Sequence, residues 1–164
     1  GQRGDLQGRP RLLLSPACVA HVVLALHCDA DAALHMYALP QHWPQWRSLS
    51  AHLNIQVALL AEDSGGSSFD EACSLPWLRL SRIFPQAQIP LACLAPTLEL
   101  GGQADTGKPQ ALAHAEGILA FLAEPGFILG GWPPPAHAAC EGCPVAGHAL
   151  AHAPSPGAAT PPPG

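Results

Sequence analysis

His27 and Glu99 are the two side chains whose types and settings point most directly to chemistry. His27 follows the apolar, β-prone run Val22–Leu26 and is followed at once by Cys28, Asp29 and Asp31. It therefore stands where a strand buried on both faces would open into a loop. Ligands of open α/β sheets bind at such carboxyl ends, and an imidazole beside carboxylates there can ligate a metal or move a proton. The plainer alternative is a strand-end histidine hydrogen-bonded to a neighbour. Glu99 interrupts the apolar stretch from Leu94 to Leu100, just before Gly101 and Gly102. A carboxylate drawn out of water must be paired, metal-linked or raised in pKa, and those conditions make a general base. Its plainer alternative is a strand-end glutamate reaching solvent.

Three further groupings carry weaker signals. His137, Cys140, Cys143 and His148 have zinc-ligand types and one C-x2-C, which would make a small structural zinc module, but the spacing to the last histidine is short. The loop Glu62-Asp63-Ser64-Gly65-Gly66, with Asp70 and Glu71 beyond it, could face a cation or substrate, or be a solvated loop with helix N-terminal charges. Cys28-Asp29-Ala30-Asp31 has the look of a phosphoesterase motif without its D-H-H companion. His21, His35, His42, His52, His114 and His152 show no ligand spacing, and no P-loop, dinucleotide fingerprint or nucleophile elbow occurs.

The elements that must position these residues alternate between strand and helix, the signature of an α/β layer fold. Arg11–Ala20 reads as the end of a helix interrupted by Pro16, and Val22–Leu26 as the first strand. Ala32–Leu39 reads as a second strand and Ile55–Ala61 as another, with a helix over Trp43–Asn54 between them. Trp46, Leu49 and Leu53 fall on one face of that helix, and Asn54 suits its end. Phe69–Phe84 reads as helical with a break at Pro76, entered through Ser67 or Ser68 with Glu71 at the capping-box offset. Ile89–Leu100 reads as an apolar strand notched by Pro90 and Pro96. Gln110–Ala123 is the clearest helix, its apolar face built from Leu112, Ala115, Ile118, Leu119 and Leu122, with Gly126 as C-cap.

The expected organisation is a flexible lead-in over 1–10, an α/β domain over 11–132 and a low-complexity, disordered or extended Pro/Ala/Gly-rich tail over 133–164. The chain has 48% hydrophobic and 12% charged residues, a net charge of -5 and only 7 Lys+Arg. That balance argues against a nucleic-acid or anionic-membrane surface. No apolar run approaches the ~20 residues of a membrane span, and the opening residues lack a signal peptide's apolar core. Of the six cysteines, Cys18, Cys28, Cys73 and Cys93 lie in apolar segments, where free cysteine behaves as a small buried hydrophobe. A reducing, cytoplasmic setting is expected.

Taken together, VVLALHCDADAALHMYALP, LLAEDSGGSSFDEACSLPWLRL and IPLACLAPTLELGGQAD resemble the succinylglutamate desuccinylase/aspartoacylase family of zinc-dependent, carboxypeptidase-like hydrolases. The likeness runs from about Arg9 to Gly147, where CEGCPVAGHALAHAPSPG resembles the lead into the family's C-terminal β domain. The resemblance implies a mixed or parallel sheet with flanking helices, a zinc cofactor and a small-molecule N-acyl amino acid or amide as substrate. It makes His27 the later zinc ligand, and Glu99 the glutamate that activates the zinc-bound water. Three departures stand beside it. No histidine is followed by glutamate three residues on, so the family's H-x-x-E ligand pair is absent. Ala25 stands where the family's D-L-H has aspartate, and Gly101 where close relatives carry arginine, the N-R substrate element also being absent. The expectation is a C-terminal part of such a catalytic domain that binds zinc weakly or not at all and does not hydrolyse substrate alone; the alternative is a non-catalytic α/β remnant that binds a partner or small ligand.

Overall fold

The computed structural model describes residues 12–64, 68–124 and 135–144. Residues 12–17 are helical. Beyond them run β1 (Ala25–Asp29), β2 (His35–Ala38), α1 (Trp43–Leu53), β3 (Val57–Leu60), α2 (Phe69–Ile83), β4 (Thr97–Gly102), α3 (Lys108–Ala123) and β5 (Gly142–Pro144). The strands form one sheet in the order β1-β4-β2-β3-β5. All neighbours are parallel except β2 and β4, which run antiparallel. The expected mixed α/β sheet with flanking helices is therefore what the chain forms.

One face of the sheet supplies the main core. Met36 stands opposite Leu98 on one side and Ala58 on the other, and these pack with Ala38 and Leu60 against Trp46, Leu49 and Leu53 of α1 and Phe121 of α3. The Trp46 and Phe121 rings meet at 5.7 Å. Helix α1 ends as its sequence implies, with Asn54 in the left-handed region at φ 53, which asparagine tolerates better than most residues. A second apolar cluster joins Ala17, Cys73 of α2, Cys93 and Ala95. Of the cysteines read as buried, Cys73 and Cys93 are fully buried, Cys18 is half-buried and Cys28 is exposed.

Several elements differ from the sequence reading. The first strand begins three residues late, so His27 lies within β1 rather than beyond it, and Leu26, His27 and Cys28 are exposed. Val22 still bridges Leu94. But the facing chain carries Pro96, which has no N–H for the ladder, so regular pairing starts only at Ala25 opposite Thr97. The same proline shortens the expected strand over Ile89–Leu100 to Thr97–Gly102. Helix α2 passes through Pro76 without a break. Pro76 is exposed, so its missing hydrogen bond lies where water can replace it. Ser68 makes no side-chain cap, and Glu71 instead accepts the backbone N–H of Ser64.

Helix α3 turns only part of its expected face inward: Ile118 and Leu122 pack against the main core, but the most buried positions lie beside them. Gly117, Ala120 and Phe121 are buried, while Leu112 and Leu119 are 60% and 39% exposed. A Cβ at Gly117 would lie 2.9 Å from the His52 carbonyl oxygen, so α3 approaches α1 too closely for a larger side chain there. Strand β5 falls in the Pro/Ala/Gly-rich stretch, pairing Gly142 with Ala58 and Cys143 with Leu59. Gly142 permits this, since a Cβ there would meet the Leu60 side chain at 2.5 Å and the Trp43 indole at 3.0 Å. The expected C-cap Gly126 lies outside the described residues, as do 133–134 and 145–164 of the tail.

Candidate active site

The sheet places Glu99 between two histidines. In the parallel pairing of β1 with β4, His27 is the partner of Glu99. In the antiparallel pairing of β4 with β2, His35 is its partner on the other side. Directly opposed residues project to one face of a sheet, so the row His27–Glu99–His35 shares a side, opposite to Leu98 and Met36 in the core. His27 Nδ1 stands 3.7 Å from Glu99 Oε1, close enough for charge attraction and too long for a good hydrogen bond. The His27 side chain is 57% exposed and that of Glu99 only 14%. Glu99 Oε2 is buried and has no hydrogen-bond partner among the described residues.

His35 and Tyr37 escaped the sequence reading. The signal for them was the alternation in HMYA, which puts both on the face opposite Met36. His35 is buried, and its Nδ1 lies 2.8 Å from the Ala33 carbonyl oxygen, a partner that makes Nδ1 the donor of the neutral ring. Tyr37 packs edge-on against that ring at 5.3 Å and 75°. Burial first, then the negative charges of Glu99 and Asp29, push its phenol above the ordinary value. At the end of β1, Asp29 Oδ1 accepts the Ala30 backbone N–H at 2.6 Å, and its carbonyl accepts from Gln103 at 2.8 Å. A register shift between His27 and Asp29 marks an irregularity in the ladder, which resumes with Asp29 opposite Gly102.

The other groupings are not drawn into this row. Glu62 is held by both guanidinium nitrogens of Arg82, at 2.6 and 2.9 Å, and by Gln41. The Arg82 bond, then that from Gln41, keeps its carboxyl below the usual range. That part of the acidic loop latches α2 to the end of β3. Gly65 and Gly66 lie outside the described residues, as does His148 of the tail grouping. His137 and Cys143 are exposed and Cys140 is half-buried, its thiol pushed up by burial.

No family model and no curated protein matches the chain. Solved structures do. A protein of Shewanella frigidimarina NCIMB 400 assigned as a succinylglutamate desuccinylase/aspartoacylase matches at 30% identity and a TM-score of 0.66, over 81% of this chain and 35% of that one. A protein of Shewanella amazonensis SB2B assigned to the same family matches at 32% identity and a TM-score of 0.62, over 76% of this chain and 33% of that one. The chain belongs to the succinylglutamate desuccinylase/aspartoacylase family. It spans about a third of the length of these structures. The apo ectoine utilization protein EutE (DoeB) of Ruegeria pomeroyi shares the fold at a TM-score of 0.50 and 15% identity, over 83% of this chain and 39% of that one.

For a desuccinylase/aspartoacylase-type site the question is whether the residues present fit zinc. A catalytic zinc is held by three protein ligands with a fourth position left open. Among the described residues no three His, Cys, Asp or Glu side chains stand close enough together to hold a metal ion. The row offers one exposed imidazole beside one carboxylate, while the Nδ1 of His35 is already committed to a carbonyl. The described residues therefore do not by themselves fit a zinc centre.

Proposed function

We propose that this chain carries one side of a deacylase active site. In this reading Glu99 is the general base that takes a proton from the water attacking the carbonyl of an N-acyl amino acid or related amide. His27 is a single ligand of the zinc that the family resemblance implies. The observation that carries it is the register of β1 on β4, which holds His27 Nδ1 3.7 Å from a largely buried Glu99 carboxylate. The chemistry suits the residues. A carboxylate walled off from water on one oxygen and approached from its exposed side can accept a proton without being swamped by solvent. An exposed neighbouring imidazole can ligate or orient what approaches. Family membership supports the reaction class, and the hydrolysed bond follows from it as proposal.

The same residues limit what this chain does alone. One histidine does not hold zinc tightly, because the affinity of such centres rests on several ligands acting together. We expect the purified chain, loaded with zinc and dialysed, to keep well below one equivalent and to leave N-acyl amino acids intact. Measured metal content and an amide-hydrolysis assay read the two outcomes. A stoichiometric, tightly held zinc that His27→Ala removes would overturn the incomplete-site reading. With an H-x-x-E segment restored upstream, metal-dependent hydrolysis is expected, and hydrolysis there that Glu99→Gln leaves unaffected would overturn the assignment of the base.

A further inference from the structure

Helix α3 carries an apolar surface that the fold leaves uncovered. Its inner side meets the core through Gly117, Ala120 and Phe121. On the outer side Ala111, Leu112, Ala115 and Leu119 are all exposed. A helix that is apolar on both sides is suited to be enclosed on both. Lys108, Leu112, Glu116 and Leu119 fall on one narrow stripe of the outer side, with Leu112 directly opposite Phe121. Lys108 and Glu116 are the only Lys, Arg, Asp or Glu in the helix. Both are exposed, and neither side chain has an ion pair or hydrogen bond among the described residues.

The spacing of this stripe makes it its own complement. Lys108 stands four residues before Leu112 and Glu116 four after, ~6 Å to either side along the axis. A second copy turned about a two-fold axis through Leu112 lays its helix antiparallel to the first. Each Lys108 then comes level with the Glu116 of the other copy, and the two Leu112 side chains meet between the pairs. Leu119, less than a turn further on, lies against the methylene stem of the other copy's Lys108. A parallel arrangement would instead set Lys108 beside Lys108 and Glu116 beside Glu116. A foreign partner would need the same spacing with the signs reversed, which a second copy supplies by symmetry.

We propose that α3 forms a two-fold homodimer, packed antiparallel on α3 of a second copy with Leu112 at the axis and Lys108 paired to Glu116 across it. Such a pair is closed, so assembly through α3 stops at two chains, and growth past two needs another surface. One helix pair is a small interface, so the dimer exchanges with monomer. The contact lies across the sheet from the row of His27, Glu99 and His35, since α3 packs on the Met36 and Leu98 side. It is independent of the reading of Glu99 as a base.

Sedimentation equilibrium of the full chain reads the mass directly, under reducing conditions because Cys28 and Cys143 are exposed. The data should fit a monomer–dimer equilibrium. Lys108→Glu and Glu116→Lys should each weaken the dimer roughly fivefold or more, because each sets like charges against each other twice. The double variant Lys108→Glu/Glu116→Lys should return the affinity to within about threefold of the unmodified chain. That return separates pairing from damage, since one damaging substitution does not mend another. Leu112→Asp should weaken the dimer about tenfold or more with the circular dichroism of the helices unchanged. Leu26→Lys, on the open edge of β1, should leave the dimer intact. A chain that stays monomeric at its highest soluble concentration overturns the proposal. So does a dimer that both single reversals leave unchanged, that the double reversal fails to restore, or that Leu26→Lys dissolves. The zinc and hydrolysis assays bear on none of these readings, so the two proposals fail separately.

Discussion

Cys73 and Cys93 show how far a single side chain can be governed by its surroundings. Both are fully buried, Cys93 Sγ donates to the Ala17 carbonyl at 3.1 Å, and Ser74 Oγ donates to the Cys93 carbonyl at 2.9 Å. Burial, and then the neighbouring Cys93 thiol, pushes Cys73 up to about 12. Cys93 is pushed up as well, chiefly by burial. A thiol so held is a poor nucleophile and acts as a packing group. The sign of the pH effect follows. The folded state keeps its proton while the unfolded thiol loses it near 9, so the stabilisation is whole below that pH. It is lost as pH rises from 9 toward about 12. Urea unfolding midpoints should therefore fall through this alkaline range. Cys73→Ala should cost about 1 kcal/mol at neutral pH and make the alkaline fall shallower. An alkaline limb of unchanged steepness in that variant would show that Cys73 does not cause it.

At the scale of elements, the contact between α1 and α3 decides which surfaces are inside. His52 Nε2 meets Glu124 Oε1 at 2.8 Å, and Ser48 donates to the other carboxylate oxygen, so one residue just past α3 ties down two positions of α1. Gly117 lies in the same crossing, where a Cβ would come 2.9 Å from both the His52 carbonyl oxygen and Leu53 Cδ2. Gly117→Ala gains up to about 1 kcal/mol of helix propensity but overpacks the crossing at a cost of about 1–3 kcal/mol. The net expectation is a lower thermal midpoint, with Gly117→Val lower again; a rise with alanine would mean the helices are free to separate. This contact also shows what the sequence could and could not display. The buried face of α1 was legible, because Trp46, Leu49 and Leu53 repeat at helical spacing and are all buried. That of α3 was legible only in part: Ile118 and Leu122 do pack against the core, but the most buried positions include Gly117 and Ala120, set by closeness to α1 rather than by the leucines. At the site, His27 and Glu99 were legible as odd residues in apolar runs. The insertion of β2 beside β4, which adds His35 and Tyr37, is a long-range antiparallel pairing that no local pattern announces.

For the whole molecule, the two outer strands of the sheet are unlike. Among the described residues strand β5 has three, Gly142–Pro144, and Pro144 has no N–H to offer another chain. Strand β1 has five, is joined only to β4 among the described residues, and carries no Lys, Arg, Asp or Glu before Asp29. Leu26 on it is 53% exposed, although its pairing with Leu98 puts it on the core side of the sheet. An open edge with an apolar side chain is a template for edge-to-edge association. The net charge of -5, spread over a chain with few charges, opposes that only weakly. Because successive side chains alternate, Leu26 points away from the His27–Glu99 face, so it can be changed without touching the site. We therefore expect concentration-dependent association in light scattering, measured under reducing conditions because Cys28 is exposed on the same strand. Leu26→Lys should suppress it while shifting stability by no more than about 0.5 kcal/mol. A variant that associates as readily as the unmodified chain would place the sticky surface elsewhere, with the exposed Ile83 and Phe84 at the end of α2 as the next candidates.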